Sequence, residues 1–378
     1  MRTIIYADHA ATTALSPAAY TAMLPWLQDQ FGNPSTLYSL AREPRKAIIS
    51  ARETIAACIG AKSEEIFFTS GGTEADNWAL TGVAFQASVR QGRIITSSIE
   101  HHAVLQTCDF LNRLGYDVDF LPVNKSGVVA TKVLESHLKN DALLVSIMMA
   151  NNEIGTIQPI KELAATAHKH NCLFHTDAVQ AVGHIAINVK SMDVDMLSAS
   201  AHKFNGPKGT GFLYIRDGII IEPLLHGGAQ EQGRRSGTEN VAGIVGMAEA
   251  LKEHQVHLNQ EIAYLRTLAD TLVSNLRQAG LDFILNGSEN RIPGSLSLSF
   301  RNIDGEMLLH RLDLMGTAVA TGSACDSKNT MLSHVIQAIG VPEDYAHGTI
   351  RITLGPDNDE EQVKRIVQQI GKILNGAL

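Results

Sequence analysis

The stretch Cys172-Leu173-Phe174-His175-Thr176-Asp177-Ala178-Val179-Gln180 passes from apolar residues to polar ones within a few positions. Short apolar runs of the same kind, separated by segments with helical periodicity, lie at residues 66–68, 93–96, 143–147 and 211–215. Near-continuous apolar strands that alternate with helices are typical of a mostly parallel sheet. The pattern therefore predicts an α/β fold, in which ligands bind at the carboxyl ends of the strands.

The last third of the chain has a different pattern. Residues 242–278 and 359–374 have helical periodicity, whereas residues 295–300 and 350–354 alternate strictly between polar and apolar side chains. Such alternation is typical of strands with one face in water. We therefore expect a large domain at residues 16–250 and a smaller α+β domain at residues 251–378, with residues 1–15 packing with the small domain.

Composition excludes several classes of protein. The 378 residues are 44% hydrophobic and 19% charged, with a formal net charge of −8. This charge argues against nucleic-acid binding through a general basic field. No stretch approaches the roughly 18 apolar residues of a membrane span, and the start of the chain has no signal-peptide core. We expect a cytoplasmic protein that binds neither membranes nor nucleic acid directly.

The four cysteines, Cys58, Cys108, Cys172 and Cys325, do not form a CxxC pair. They are too few for a disulfide framework, so a reducing compartment is expected. A metal site at His175 and Asp177 is disfavoured, because no second pair of ligands has the required spacing. No metal cofactor is predicted.

The densest chemical pattern is Ser198-Ala199-Ser200-Ala201-His202-Lys203-Phe204-Asn205-Gly206-Pro207-Lys208-Gly209, which places a lysine among small residues after a strand. One interpretation is a basic loop with a glycine turn. The other is a lysine that forms a Schiff base, because partial desolvation lowers the pKa of an amine and makes it a nucleophile.

Polar residues that follow other strands allow two interpretations each. Asp177 is either a helix cap or the carboxylate that keeps the nitrogen of a pyridoxal ring protonated, with Gln180 one helical turn away. Residues 70–77 hold either an ordinary cap at Thr73 or an anion cradle at a helix N-terminus. His101 is either a loop residue or an aromatic lid over a cofactor.

Taken together, these residues resemble the cysteine desulfurase family of fold-type I pyridoxal 5′-phosphate (PLP) enzymes, in the class V aminotransferase superfamily. The matching stretches span nearly the whole chain: Tyr6-Ala7-Asp8-His9-Ala10-Ala11-Thr12-Thr13, Phe31-Gly32-Asn33-Pro34-Ser35, Glu100-His101-His102, Asn151-Asn152-Glu153-Ile154-Gly155, His175-Thr176-Asp177-Ala178-Val179-Gln180, Ser200-Ala201-His202-Lys203 and Arg234-Arg235-Ser236-Gly237-Thr238-Glu239-Asn240. The resemblance implies a PLP-binding large domain with a seven-stranded, mostly parallel sheet flanked by helices, and a homodimer.

The resemblance also implies a role for each matching residue. Lys203 binds PLP covalently, His101 stacks on the ring and helps to move protons, and Asp177 and Gln180 contact the pyridine nitrogen and the phenolic oxygen. The other implied cofactor contacts are Gly72, Thr73, Asn152, Ser200 and His202, with Thr238 from the second subunit. Arg351 and Asn33 are implied to hold the substrate carboxylate, a task that suits a planar guanidinium.

Cys325 lies in Thr321-Gly322-Ser323-Ala324-Cys325-Asp326-Ser327-Lys328-Asn329-Thr330, a composition that predicts a loop. The other three cysteines lie in apolar patterns, where thiols are usually inert. By itself Cys325 is an ordinary loop cysteine, but Gly322 to Cys325 match the Gly-Ser-Ala-Cys pattern of the family.

The resemblance then implies a reaction for Cys325. It takes sulfur from L-cysteine, releases L-alanine, and passes its persulfide sulfur to an iron–sulfur scaffold or a thiolation protein. Through this persulfide, Cys325 is also implied to ligate an iron–sulfur cluster transiently.

The chain departs from the family pattern at Asp326, where Ser or Thr is usual, at Tyr38 in place of His, and at Gly72 in place of Ala. A carboxylate beside Cys325 raises the thiol pKa, and Lys328 offsets this effect.

Three alternative functions stay open: a transaminase or a selenocysteine lyase on the same fold, and a non-catalytic subunit of an assembly. A P-loop at residues 228–235 is disfavoured, because Arg234-Arg235 stands where Lys-Ser/Thr is required.

Overall fold

The computed structural model describes residues 4–86, 92–138, 141–322 and 332–376. Within these ranges the strands are β1 Ile5–Tyr6, β2 Ile66–Thr69, β3 Arg93–Ser97, β4 Asp117–Leu121, β5 Ala142–Ser146, β6 Leu173–Asp177, β7 Met196–Ser200, β8 Gly211–Ile215, β9 Phe283–Leu285, β10 Ser295–Phe300, β11 Thr317–Ala318 and β12 Thr349–Thr353.

The α-helices in the same ranges are α1 Pro17–Gln28, α2 Arg42–Ile59, α3 Gly72–Ala84, α4 His102–Arg113, α5 Thr131–His137, α6 Ile160–Lys169, α7 Val189–Met192, α8 Val241–Gln278, α9 Gly305–Leu314, α10 His334–Ala338, α11 Glu343–Ala346 and α12 Glu360–Leu374. None of these helices combines the length and the apolar character that a membrane crossing requires.

Seven strands form the central sheet, in the order β2-β8-β7-β6-β5-β3-β4. Strands β4, β3, β5, β6 and β7 run parallel to one another, and β8 is antiparallel to both β7 and β2. The predicted α/β class, with a mostly parallel seven-stranded sheet, is confirmed.

Helices cover both faces of this sheet, which explains its continuous apolar runs. Successive residues of a strand point to opposite faces. Ile94 and Leu144 therefore join the core formed with α3 and α4. Their neighbours Ile95 and Val145 join the core that includes residues of α2, α6 and α8. Both faces bury apolar side chains, so the strands show no alternation.

The smaller sheet is antiparallel, with the order β12-β10-β9. It shares a hydrophobic core with residues of α9, α12 and the second half of α8. This arrangement agrees with the predicted smaller α+β part of the chain. Helix α12 begins after Asp359, whose carboxylate accepts a hydrogen bond from the Gln362 N–H at 2.8 Å.

The expectation that the alternating strands have one wet face is wrong. Every residue of β10 and β12 is buried, the serines of β10 included. The amide of Asn286 donates to the hydroxyls of Ser297 and Ser299, at 3.1 and 2.7 Å. Ser299 is also hydrogen-bonded to Thr349 at 2.7 Å. The polar face is therefore covered by protein, and hydrogen bonds replace the water.

Helix α8 connects the two parts of the molecule over 38 residues. One end packs on α1 and α2, and the helix also packs on α12. The predicted domain boundary at residue 250 falls inside this helix. The division at residues 15 and 250 stays a prediction.

The chain from Ile5 to Thr13, called here the N-terminal segment, extends from the small sheet to the loop after β7. Strand β1 pairs in parallel with β11. Asp8 then forms a bridge with Thr353 of β12. At the other end, the N–H of Thr13 donates to the carbonyl of His202 at 2.9 Å. The segment thus reaches the residue that precedes Lys203.

Candidate active site

Most of the predicted site residues line one cleft of about 600 Å³. The predicted residues that the structure brings together there are Gly72, Thr73, His101, Asn152, Asp177, Gln180, Ser200, His202, Lys203 and Arg351. They come from the carboxyl ends of β6 and β7, the loop after β5, the starts of α3 and α4, and strand β12. The cleft therefore lies where an open α/β sheet binds its ligands.

Lys203 lies in a short 3₁₀ turn, Ala201–Lys203, that follows β7 directly. Its Nζ donates to the carbonyl oxygens of Ala10 and Ala11, at 2.6 and 2.9 Å. Its own carbonyl oxygen accepts a hydrogen bond from His184 Nε2 at 2.9 Å. Both ends of the lysine are thus held, and the amine faces the cleft.

Asp177 is the last residue of β6 and is 5% exposed. Its Oδ1 accepts the Val179 N–H at 2.9 Å, so the capping interpretation also holds. Burial raises the pKa of the Asp177 carboxyl, whereas His101, the Val179 N–H and Lys203 lower it in part. A cation bound in the cleft would favour the ionised form of Asp177.

Further buried polar side chains lie around Asp177, and two of them, Asp76 and Glu100, also line the cleft. Burial, followed by repulsion from Asp177, raises the pKa of Asp76 well above its ordinary value. Burial raises the pKa of Glu100 to about 8, and burial lowers the pKa of His175 to about 3. His175 is hydrogen-bonded to Ser146 and Ser198, at 2.8 and 2.9 Å. Neutral forms of these neighbours leave Asp177 as the carboxylate best placed to carry charge.

His101 occupies the N-cap of α4, where its Nδ1 accepts the Ala103 N–H at 3.1 Å. In the neutral ring the proton is therefore on Nε2. Burial lowers the pKa of His101, Asp177 raises it, and Lys203 lowers it further, with a lowered pKa as the result. The ring is held by its own helix as a neutral aromatic group on the wall of the cleft.

The start of α3 and the end of β7 form a cradle for an anion. Gly72 and Thr73 open the helix, where backbone N–H groups are free to bind a negative group. Ser200 is 4% exposed. Burial, then Lys203 and Lys208, lower the pKa of His202 to about 4, so its ring is neutral at pH 7. Its Nδ1 is hydrogen-bonded to Thr12 Oγ1 at 3.1 Å.

One carboxylate, that of Glu74, lies on the same first turn of α3. It is paired with Arg235, whose Nε and Nη2 lie 2.8 and 3.0 Å from its two oxygens. Burial alone would raise the pKa of Glu74, but hydrogen bonds from Arg235 and Ser70 outweigh burial and lower it. The ion pair leaves the cradle able to accept a dianion.

Gly72 fits its neighbour closely. A Cβ at this position would lie 2.4 Å from Val179 Cγ2. Glycine, in place of the alanine that is usual in the family, therefore leaves the space that the Val179 side chain occupies.

Arg351 enters the cleft from β12 and is 6% exposed at its side chain. Its Nη1 donates to the Asn152 carbonyl oxygen at 3.0 Å, and its Nη2 donates to Asp8 Oδ1 at 2.6 Å. The guanidinium is thus oriented by two partners.

Three predicted residues are not placed in the cleft. Asn33 and Thr238 are absent from the described residues that line it. Asn33 lies in the loop after α1, where its Oδ1 accepts the Ser35 N–H at 2.9 Å, and Thr238 is exposed in the loop before α8. Cys325 lies outside the described residues.

The three other cysteines are free thiols in the structure. Burial raises the thiol pKa of Cys58 to about 11, and that of Cys108 and Cys172 to about 12. They are therefore almost wholly protonated at pH 7 and are poor nucleophiles. Among the described residues, no cluster of three or more His, Cys, Asp or Glu side chains is arranged to hold a metal ion.

Several residues that form hydrogen bonds with the predicted site residues could not be identified from the sequence. Ala10 accepts hydrogen bonds from both Lys203 and Gln180 through its carbonyl, a role that no side-chain pattern reveals. Asp8 contacts Arg351 across 343 residues of chain, and His184 contacts the carbonyl of Lys203, 19 residues away. The only signal for Asp8 was its place in the Tyr6–Thr13 motif, to which no role was given.

Comparison with known proteins gives a consistent result. The model of the family "Aminotransferase class-V" matches residues 5–366. "Cysteine desulfurase IscS" of Dictyoglomus turgidum is 50% identical over 99% of this chain and 95% of that protein. The protein of the same name from Methanosarcina thermophila is 46% identical over 98% of this chain and 92% of its own length.

Solved structures show the same likeness in three dimensions. A "NifS-like protein" aligns with a TM-score of 0.93 and 40% identity, covering 99% of this chain and all of that one. The structure described as "SspA in complex with cysteine" aligns with a TM-score of 0.83 and 36% identity, over 93% of this chain and 99% of that one.

Proposed function

Because the chain belongs to the aminotransferase class-V family and, within it, to the cysteine desulfurases, we propose that it removes the sulfur of L-cysteine with the help of PLP. The products are L-alanine and a persulfide on Cys325. The observation that carries this proposal is the single cleft that holds Lys203, Asp177, His101 and Arg351 together.

The residues of the cleft fit PLP. The buried carboxylate of Asp177 suits a protonated ring nitrogen, and the N-terminus of α3, with Thr73, Ser200 and His202, suits a phosphate group. Gln180 and Asn152 line the same cleft. When bound, the pyridoxal ring acts as an electron sink for the substrate carbon.

Lys203 and His101 are the groups that hold and move protons. The Nζ of Lys203 is proposed to take the proton from Cα of the substrate, which requires a neutral amine. Nearby His101 presents an Nε2 proton, because its Nδ1 is engaged by its own helix. His101 is therefore placed to donate a proton and to stack as a flat ring.

Arg351 is proposed to bind the substrate carboxylate. Its guanidinium is planar, buried and already oriented by the Asn152 carbonyl and by Asp8. An immobilised guanidinium loses less entropy on binding a carboxylate than a mobile lysine would.

Sulfur transfer to Cys325 balances without an external oxidant. The thiolate of Cys325 attacks the sulfur of the substrate, an S–S bond forms and the C–S bond breaks. The carbon left behind takes up a proton, so L-cysteine and one thiol give L-alanine and one persulfide. The persulfide sulfur then passes to an acceptor protein of an iron–sulfur cluster or thio-modification pathway. The cytoplasmic location stays a prediction.

A homodimer is part of the proposal. Thr238 is exposed and lies outside the cleft of its own chain, as expected if it serves the phosphate of a partner subunit. Large apolar side chains are exposed on α1, on the loop that follows it and on the start of α2: Leu27, Phe31, Leu37, Leu40 and Ile49. Exposed apolar surface of this extent is typical of an interface between proteins, and the proposed occupant is a second copy of the chain.

Mass spectrometry after incubation with L-cysteine, without reductant, tests the proposal. We expect one added sulfur on the Cys325 peptide of the wild-type protein. Cys325→Ser should lose both this modification and the release of alanine from cysteine. Cys58→Ser, which replaces a thiol outside the cleft, is expected to keep both. Alanine release from Cys325→Ser at the wild-type rate would contradict the persulfide route.

A further inference from the structure

Arg351 already has a carboxylate partner inside the protein. Asp8 Oδ1 accepts a hydrogen bond from Arg351 Nη2 at 2.6 Å, and the two side chains are 18% and 6% exposed. A buried guanidinium needs an opposite charge close by, because desolvating an unpaired ion is costly. Asp8 supplies that charge from a segment 343 residues away in the chain.

The guanidinium of Arg351 is nevertheless not fully hydrogen-bonded by the protein. Nε of Arg351 is buried and donates to no acceptor within the part of the chain that the structure describes. Arg351 also lines the cleft, which Asp8 does not. A carboxylate that enters the cleft would therefore bind the same guanidinium that Asp8 already holds.

We propose that Asp8 is an internal carboxylate with which the substrate carboxylate must share Arg351, and that its charge weakens the binding of α-amino acids. The inference rests on the proposed role of Arg351 in binding the substrate. Two carboxylates on one guanidinium repel each other, and the repulsion is strong where little water screens it. Asp8 thus raises the dissociation constant for any ligand that carries a carboxylate and sets a high KM for cysteine.

The backbone keeps Asp8 in place independently of its charge. The N–H of Thr353 donates to the Ala7 carbonyl at 2.8 Å, and the N–H of His9 donates to the Thr353 carbonyl at 3.2 Å. The N–H of Ala10 donates to Thr353 Oγ1 at 2.9 Å. Asparagine at position 8 would keep an oxygen that accepts from Arg351, so Asp8→Asn changes mainly the charge.

The experiment compares two ligands that differ only in the carboxylate. Calorimetry on the PLP-loaded protein measures the dissociation constants of S-methyl-L-cysteine and of S-methylcysteamine. Asp8→Asn is expected to bind S-methyl-L-cysteine about tenfold more tightly and to bind S-methylcysteamine as the wild type does. Unchanged or weaker binding of S-methyl-L-cysteine would overturn the inference.

Three further variants complete the test. Asp357→Asn removes an exposed carboxylate that contacts His9 of the same segment at 3.0 Å, and it should leave both constants unchanged. Asp8→Ser removes the charge with a smaller side chain and should act in the same direction as Asp8→Asn if the latter folds poorly. Arg351→Gln should abolish the preference for the carboxylated ligand. If that preference survives in Arg351→Gln, the proposed role of Arg351 fails; if only the Asp8 variants behave as wild type, this inference alone fails.

Discussion

The cleft has two walls that are built in opposite ways. One wall is formed by the carboxyl ends of strands in the seven-stranded sheet. These apolar strands end in Asp177 and Ser200, and Ser200 is followed by the turn to Lys203. The other wall is the buried polar face of the small sheet, which carries Arg351 among serines and threonines. Charged groups on the first wall lie at strand ends, whereas Arg351 lies in the middle of a strand.

Alternation along a strand therefore shows that the strand has two unlike faces, but it does not show which face meets water. On β10 the polar face is paired with Asn286 and Thr349 rather than solvated. Substitutions of the charged groups at the strand ends of the first wall should therefore act mainly on chemistry, and those on the second wall on stability and on substrate affinity.

The largest effect is expected for Lys203→Ala on the sheet wall. Loss of the amine removes both the cofactor attachment and the base, so alanine release from cysteine should fall by about 10³-fold or more. The thermal midpoint should change little. Lys190→Ala, which replaces an exposed lysine of α7 outside the cleft, is the matched control and should keep most of the activity. Substantial activity in Lys203→Ala would show that Lys203 is neither the cofactor attachment nor the base.

On the other wall, Ser299→Val tests whether the polar face is truly covered. Valine removes the hydroxyl, adds one carbon to a fully buried position, and takes one hydrogen-bond partner each from the Asn286 amide and the Thr349 hydroxyl, which keep Ser297 and the Ala346 carbonyl as partners. The free energy of unfolding should fall by about 2 kcal/mol in urea titrations. Thr267→Val, at an exposed position of α8, should change it by less than about 0.5 kcal/mol. An unchanged free energy of unfolding in Ser299→Val would indicate that this face of the strand is solvated.

Gly72→Ala tests whether the anion cradle at the start of α3 requires glycine because Val179 packs against it. The added Cβ would lie 2.4 Å from Val179 Cγ2, so the overpacked site should cost about 1.5 kcal/mol of unfolding free energy and weaken PLP binding. Adding Val179→Ala should recover part of the loss, since the two side chains are in contact. Purely additive effects in the double variant would show that the two positions do not compete for space.

A pH-dependent effect on stability is expected from Glu100, which is buried and lines the cleft. Its pKa is about 8 in the folded protein against an ordinary value of 4.5. The contribution of its neutral form to stability is fully present below pH 4.5 and is lost as the pH rises through 8. Wild-type stability should therefore fall relative to Glu100→Gln by up to about 1.4 kcal/mol per pH unit in that window. A pH-independent difference between the two proteins would show that Glu100 is ionised throughout.

The sequence predicted the strand runs and the long helix closely, because burial on both faces and helical periodicity leave clear patterns. Residues 211–215 and 295–300 were bounded as the structure has them. Strand β4, Asp117–Leu121, was not predicted, because it is an edge strand with charged residues and only one buried position.

The site was only partly predictable, for a physical reason. Lys203, Asp177 and His101 lie next to strand or helix ends, where short motifs mark them. Asp8 and Ala10 act through contacts between distant segments, in the case of Ala10 through its backbone carbonyl. No local pattern encodes such contacts, because they depend on how the N-terminal segment crosses from one sheet to the other.

The most direct measurement of the central claim is borohydride reduction of the purified protein after incubation with PLP, followed by peptide mass spectrometry. We expect one pyridoxyl group per chain, on the peptide that contains Lys203, and its loss in Lys203→Ala. A protein that takes up no PLP, or that carries the label on another lysine with Lys203 unmodified, would contradict it.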